Sequence, residues 1–386
     1  MNLHHFNLGY GCSPDNLHPV YIGVTKFLTE LMIDNVHNPE VFMREIDRRM
    51  QRIRTPTLMS RKPRSISKRN KWKGTEWRNW LLYFAVVCIH AYNNPVPRQV
   101  IDLFAILSKA IFLLSRDSIS HDDIHEAEGC LFQFATRFQN IYGYEKMRFN
   151  VHIILHLASA VRKWAGLHLH STFPFESLNG KFKKYVKSPN GAINQIVNRY
   201  LLFSLTFMLS LHPDLDEEVV EEIDFILSGN LLPNPDRVGN AYLFDYVQQR
   251  APTPEEGQLL TDMNHACVAL QEYRQCKRFK VLFRVEGYYE VEETKSDNSL
   301  IYTSDDQFFV IDSIVSFLDG NNEMCGMFCR KIEVDNPLFG IPHIMTISNI
   351  NERQFIPMSS VRGLAFKMRA LHRFYVTPMC NSGEID

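Results

Sequence analysis

The sequence predicts an α+β protein: a mostly helical block followed by a small β-rich C-terminal domain. Three observations carry this. Apolar residues recur at three- and four-residue spacing over much of residues 20–227, with little strand signal. Beyond Arg278, short β-rich runs alternate with turn signals about every ten residues, as in a small antiparallel barrel or sandwich. Between them, residues 230–240 are rich in Pro, Asn and Gly and read as a linker. The expected division is 1–229 (helical), 230–277 (linker and helix) and 278–386 (β-rich).

The elements follow in order. Residues 20–34 place Val20, Val24, Phe27, Leu28 and Leu31 on one helix face. Residues 39–54 open with proline in the first turn of a charged amphipathic helix. A polar, basic loop is expected over 55–73. Residues 77–92 and 97–115 are apolar enough for buried helices. Ser120 is an N-cap with Asp123 three residues on, starting a helix that runs to Tyr142. Residues 150–164 form a further helix stopped near Gly166, and 168–175 are short and partly extended. Helices are then expected at 176–186, 192–211 and, short and acidic, 215–227. The β-rich runs include 279–283, 288–291, 308–317, 324–331, 344–347 and 354–357.

The net charge of -1 conceals an asymmetry. Residues 1–212 hold 27 Lys and Arg against 15 Asp and Glu, whereas 213–386 hold 15 against 28. A basic half suited to nucleic acid and an acidic half suited to protein partners are expected, or two halves that attract each other. No run of apolar residues is long enough to cross a membrane, and residues 1–11 do not read as a secretory signal. The eight scattered cysteines read as free thiols in a reducing compartment. Nuclear or cytoplasmic residence is therefore expected. Cys325 and Cys329 lack a second pair at zinc spacing and read as buried thiols.

The basic charge is concentrated between Arg44 and Arg78, where thirteen Lys and Arg face Glu45, Asp47 and Glu76. Arg61, Lys62, Arg64, Lys68, Arg69, Lys71 and Lys73 are candidate phosphate contacts, and Trp72 and Trp77 could stack on unpaired bases. Lys181, Lys183, Lys184 and Lys187 form a second candidate patch, with 183, 184 and 187 on one helix face. A solvated loop and a solvated helix face are the plain alternatives. His152 and His156, at i and i+4, have spacing that zinc accepts but lack the Glu of His-Glu-x-x-His, and read as packed histidines.

Two segments carry a family resemblance. The first is Ser13-Pro14-Asp15-Asn16-Leu17-His18 running into Gly23-Val24-Thr25-Lys26. The second is Asn150-Val151-His152, His156-Leu157, then Phe173-Pro174-Phe175-Glu176 with Lys181, Lys184, Tyr185 and Val186. Ser60-Arg61-Lys62-Pro63-Arg64 and Trp72-Lys73-Gly74-Thr75-Glu76-Trp77 lie between. In this order they resemble the C-terminal part of CACTA-type (En/Spm-like) DNA transposases, over roughly residues 13–205.

The resemblance implies a partial ribonuclease H-like core with a large helical insertion. It implies three carboxylates holding Mg²⁺ or Mn²⁺ for attack on phosphodiesters. Asp15 would be the second carboxylate and a metal ligand, His18 the histidine of Asp-x-x-His, and Glu176 the third carboxylate and a metal ligand. Glu176 is the sole acid between Glu145 and Asp214; its plain reading is a helix-start glutamate complementing the dipole. Fourteen residues precede Asp15 and none is acidic, so the first carboxylate is expected to be missing. A fragment or a domesticated remnant is expected, binding DNA without cutting it. The alternatives are a protein-interaction scaffold or a nuclease completed in trans.

Overall fold

The computed structural model describes residues 14–90, 95–210, 219, 235–279, 281–288, 296–370 and 372–380. The chain divides into two compact units: Met1–Phe173 with Arg237–Asp386, and Pro174–Asp236.

The larger unit begins with a π-helical stretch, Leu17–Thr25, that runs into α1 (Lys26–Asp34). The Tyr21 N–H donates to the Asn16 carbonyl five residues back at 3.2 Å. At Gly23 a Cβ would stand 2.7 Å from the His18 carbonyl oxygen and 2.5 Å from Asn150 Nδ2, so this wide turn closes only over glycine. In α2 (Pro39–Met50) Asn38 caps the Val41 N–H and proline occupies the first turn. Next come α3 (Gly74–Asn79), buried with its polar Thr75, Glu76, Arg78 and Asn79, then a π-helical turn Trp80–Phe84 and α4 (Ala85–Ile89), buried as their apolar sequence expects. Residues 91 and 92 of that expected helix lie outside the described residues.

Long helices α5 (Arg98–Leu114) and α6 (His121–Tyr142) pack on each other. The Ser120 cap is reciprocal: its Oγ accepts from the Asp123 N–H and Asp123 accepts from the Ser120 N–H, at 3.0 and 2.9 Å. α7 (Phe149–Ile153) and α8 (Leu157–Trp164) replace the single helix expected there, with a 3₁₀ turn at Ile154–His156 between them.

Every strand pair of the sheet with a described register is antiparallel. Its strands are β1 (Asp236–Val238), β2 (Ala241–Arg250), β3 (Leu270–Arg278), β4 (Val281–Arg284), β5 (Leu300–Thr303), β6 (Phe308–Asp319), β7 (Asn322–Pro337), β8 (Met345–Pro357), β9 (Val361–Ala370) and β10 (Arg373–Pro378). The order is β1-β2-β3-β6-β5-β9-β10-β8-β7, with β4 on β3. Because β6 also pairs with β7, strands β6-β5-β9-β10-β8-β7 close into a ring, which removes edges from that part of the sheet. Gly320, at φ 62°, turns the β6–β7 hairpin.

β6 is buried on both faces. Phe309 and Ile311 enter one apolar cluster while Phe308 and Val310 enter another, as strand alternation requires. A register shift between Ile311 and Ser313 inverts the parity, so the even-numbered Ile314 joins the cluster of Phe309.

Two expectations need correction. The sheet starts at Asp236, and the stretch 230–277 supplies β1, β2 and β3 around one helix, α11 (Pro254–Asp262), rather than a linker and helix. The helical block and the sheet also share one core. Trp80, Tyr83 and Phe84 lie in the same buried cluster as Phe366, Met368 and Tyr375. Tyr83 meets Phe366 edge to face at 5.3 Å, and Arg78 Nη2 donates to the Cys380 carbonyl at 2.6 Å.

The smaller unit holds α9 (Phe173–Tyr185) and α10 (Ala192–Ser210), the former replacing the partly extended start expected at 173–175. Within it Phe182 meets Tyr200 edge to face at 5.8 Å. The acidic helix expected at 215–227 falls, Val219 apart, outside the described residues.

Candidate nucleic-acid interface

Parts of the segments that carry the resemblance, Asp15–Gly23, Gly74, Asn150 and Phe173, meet around the π-helical stretch of the larger unit. The Asp15 carboxylate accepts hydrogen bonds from the backbone N–H of Leu17 and of His18. It also accepts one from Thr172 Oγ1 at 3.0 Å and pairs with His18 Nδ1 at 2.8 Å. Ser171 Oγ donates to Asn16 Oδ1 at 2.8 Å, and both residues are buried. Asn150 packs on Gly23, and Leu17 and Phe173 close over Gly74. Tyr21 and Phe173 are 6.0 Å apart. Asp15, His18, Gly23, Gly74, Asn150 and Phe173 are thus one packed neighbourhood.

Its acid, Asp15, is committed to structure. Both oxygens of Asp15 are occupied, in the manner of a helix cap. Glu176 is an exposed first-turn acid of α9 in the smaller unit. Among the described residues, no group of three or more His, Cys, Asp or Glu is arranged to hold a metal ion. No catalytic step through Mg²⁺ or Mn²⁺ follows from this arrangement. His152 and His156 are exposed rather than packed, with their Nε2 atoms 3.4 Å apart.

The basic segment is more ordered than its sequence suggests. Residues Ile66–Lys71 form a 3₁₀ turn whose start is held by Asp47, which accepts from Ser65 Oγ and the Ile66 N–H at 2.5 and 2.7 Å. Arg64 pairs with buried Glu76, and Arg69 pairs with Glu30 at 2.7 Å. Trp72 and Trp77 are buried against each other, their rings 4.8 Å apart, and are not available to bases. Lys68, Lys71 and Lys73 remain exposed, while Arg61 is half-buried.

Lys62 has a different role from the one expected. Its Nζ donates to the Thr55 and Pro56 carbonyls at 3.3 Å and to Ser296 Oγ at 2.5 Å. Burial pulls its pKa below the usual lysine value. Asp297 N–H donates to the Thr55 carbonyl at 3.1 Å, and Thr57 N–H to Asn298 Oδ1 at 2.8 Å. This polar clasp fastens the segment after α2 onto the sheet.

The clasp forms one wall of a polar cleft of about 600 Å³. Arg52 and Arg54 line it from the helical side, and Arg284, Lys367 and Arg369 from the sheet. Lys367 and Arg369 alternate on β9 and so share a face. They reach over the half-exposed ring of Phe374 at 5.9 and 5.4 Å. Arg284 is held by Gln275 at 2.9 Å and lies 4.9 Å from the Tyr288 ring, and burial lowers its pKa. The two acids lining the cleft are engaged: Glu286 pairs with Arg330, and Asp297 accepts from the Ser299 N–H and Oγ.

Sequence reasoning missed Arg284, Lys367, Arg369 and Phe374, because they sit in the acidic half of the chain. The available signal was local: Lys367-Met368-Arg369 puts two cations at i and i+2 of a strand.

In the smaller unit, Lys181 lies 5.1 Å from the Phe203 ring, and Lys183 and Lys184 are exposed. Lys187 is not on that helix face; it follows the end of α9, and its N–H donates to Gln195 at 2.8 Å. No helix among the described residues is long and apolar enough to cross a membrane. Comparison with known protein families, curated proteins and solved structures found no match for this chain.

Proposed function

We propose that the chain is a transposase-derived, catalytically incomplete protein that holds DNA through the cleft between the segment after α2 and the sheet. The observation that carries this is the cleft: five cations line it against two acids, and one of these, Glu286, is paired with Arg330. Clustered cations in excess of their counter-charges are what a phosphate backbone needs, since each phosphate contact releases a condensed counterion. The derivation from a CACTA-type element rests on the order of the quoted motifs and draws support from the packing of Asn150 on Gly23 and of Phe173 on Gly74 and Tyr21. Strand cleavage is left out of the proposal because the Asp15 carboxylate is consumed by its own helix start and Thr172.

The test is a DNA titration of the whole chain at about 50 and 200 mM salt, where four phosphate contacts predict roughly a hundredfold loss of affinity. Changing Arg52, Arg54, Lys367 and Arg369 together to Ala is expected to abolish salt-sensitive binding. Changing Lys68, Lys71 and Lys73 to Ala is expected to leave most of it. Binding that survives the first variant and fails in the second would return the interface to the 3₁₀ turn. No binding by the wild-type chain would overturn the proposal.

A further inference from the structure

The basic cleft holds an aromatic ring that phosphate contacts alone leave unused. Phe374, near the start of β10, lines the cleft and is 40% exposed. Across the β9–β10 hairpin it pairs with Arg369, so its ring shares a face with Arg369 and Lys367. Arg369 Cζ lies 5.4 Å and Lys367 Nζ 5.9 Å from the ring centroid. Tyr288, the other aromatic residue lining the cleft, is anchored, its hydroxyl donating to Asp245 at 2.6 Å.

An exposed phenyl ring is stabilised by a flat surface that covers it. The charged groups beside this ring are cations, so the cover that suits both is a π-system joined to negative charge, which is the make-up of a nucleotide. A duplex presents base edges and phosphates but no free base face, whereas an unpaired strand presents base faces and phosphates together. The cleft, at about 600 Å³, has the size of a small-ligand recess. A strand can enter it, and a duplex can only rest on its rim. The uncharged side chains that line it are already committed. Asn298 accepts from the Thr57 N–H and donates to Thr57 Oγ1, both at 2.8 Å, and Ser299 Oγ donates to Asp297 at 2.6 Å. Recognition therefore falls to stacking and charge.

We propose that the cleft takes single-stranded DNA, with one base stacked on Phe374 and the phosphates on either side of it held by Lys367, Arg369, Arg52 and Arg54. This rests on the reading of the cleft as a DNA site, and adds the form of DNA and the residue that selects it.

Binding to the whole chain is read by fluorescence anisotropy with three probes of about 12 nucleotides. They are a thymidine strand, the same strand paired with its complement, and an abasic strand carrying the same phosphates. The thymidine strand is expected to bind at least roughly tenfold more tightly than the other two, the value of one stacked base. Phe374→Leu keeps an apolar side chain and is expected to bring the thymidine strand down to the abasic value. Its salt dependence and its duplex affinity stay as in the wild-type chain, which shows that the fold is intact. Phe374→Trp is expected to keep the preference for the thymidine strand. Equal binding of strand and duplex by the wild-type chain, or a preference that survives Phe374→Leu, would overturn the stacking assignment and leave the DNA reading standing. No binding of any probe would overturn both. Displacement of the strand by thymidine monophosphate at about 1 mM would assign the cleft to a free nucleotide instead. A ribonucleotide strand bound roughly tenfold more tightly than the DNA strand would assign it to RNA.

Discussion

At the scale of single residues, the chemistry of a side chain was legible but its partner was not. Lys62 reads as one more cation in a basic run. In the fold it is half-buried and ties Thr55 and Pro56 to Ser296, 234 positions away, and no local pattern encodes that distance. Glu76 reads as a stray acid and is instead the buried partner of Arg64 and the cap of the Lys73 N–H at 2.8 Å. Asp15 was legible as a special acid beside His18, and its hydrogen bonds show a local structural use. His343 gives the sharpest prediction at this scale. Burial pulls its pKa down to about 3, against an ordinary 6.5. As pH falls through 6.5 the unfolded chain takes up a proton that the folded chain refuses. Stability therefore falls with falling pH, by up to about 1.4 kcal/mol per pH unit. His90 and His170, whose pKa values burial also lowers, act in the same direction. Asp123, Asp245 and Glu256, whose pKa values are lowered, add the same sign of change only in the carboxylate range. Urea melts at pH 7 and pH 5 separate these groups. His343→Phe is expected to lose about 2 kcal/mol less across that interval than the wild-type chain. An identical loss in both would assign the slope to the other histidines.

At the scale of elements, amphipathic helices with strong caps were the most legible. α6 begins where Ser120 and Asp123 say it should and stops at Gly143, which sits at φ 84°. β2 and β3 were missed because their side-chain alternation is poor. β3 reads Leu-Gln-Glu-Tyr-Arg-Gln-Cys-Lys-Arg, and β2 has a register shift between Tyr246 and Gln248 that breaks a period of two. The π-helical turns were not legible at all; in the first, the His18 carbonyl of the same turn and the distant Asn150 both crowd Gly23. A methyl group there must displace the His18 backbone carbonyl as well as the Asn150 amide. Gly23→Ala is therefore expected to cost about 2–3 kcal/mol, well beyond the ordinary gain in helix propensity from glycine to alanine of about 1 kcal/mol. Gly129 on α6 has open space at its Cβ, and Gly129→Ala is expected to stabilise the chain by up to about 1 kcal/mol. Thermal unfolding of the two variants side by side checks the sign: no destabilisation at position 23 would mean that the packing described around Gly23 does not set its residue.

At the scale of the whole molecule, composition pointed to two domains and the core contradicts that division. The split in charge between the halves is real, yet Trp80, Tyr83 and Phe84 are buried with Phe366, Met368 and Tyr375. Charge is a property of the surface, whereas the core is apolar from both sides, so a count of ionised residues cannot detect a shared interior. The consequence is cooperative unfolding, which two kinds of probe can follow separately. All four tryptophans, Trp72, Trp77, Trp80 and Trp164, lie in the helical block, so their fluorescence reports on that block alone. Cys276 and Cys329 are free thiols buried in the sheet, so labelling resolved at these two positions, apart from Cys88 and Cys130 of the helical block, reports on the sheet. Phe366 sits on β9 and packs edge to face on Tyr83. Removing its ring leaves a cavity at the junction, at a cost of about 3–5 kcal/mol. In a single cooperative unit, Phe366→Ala shifts the tryptophan midpoint and the thiol-labelling midpoint by the same amount of denaturant. In two independent domains the thiols become reactive early while the tryptophan transition stays where it was. Coincident shifts are expected, because Phe366, a residue of β9, packs edge to face on both Tyr83 and Phe84 of the helical block.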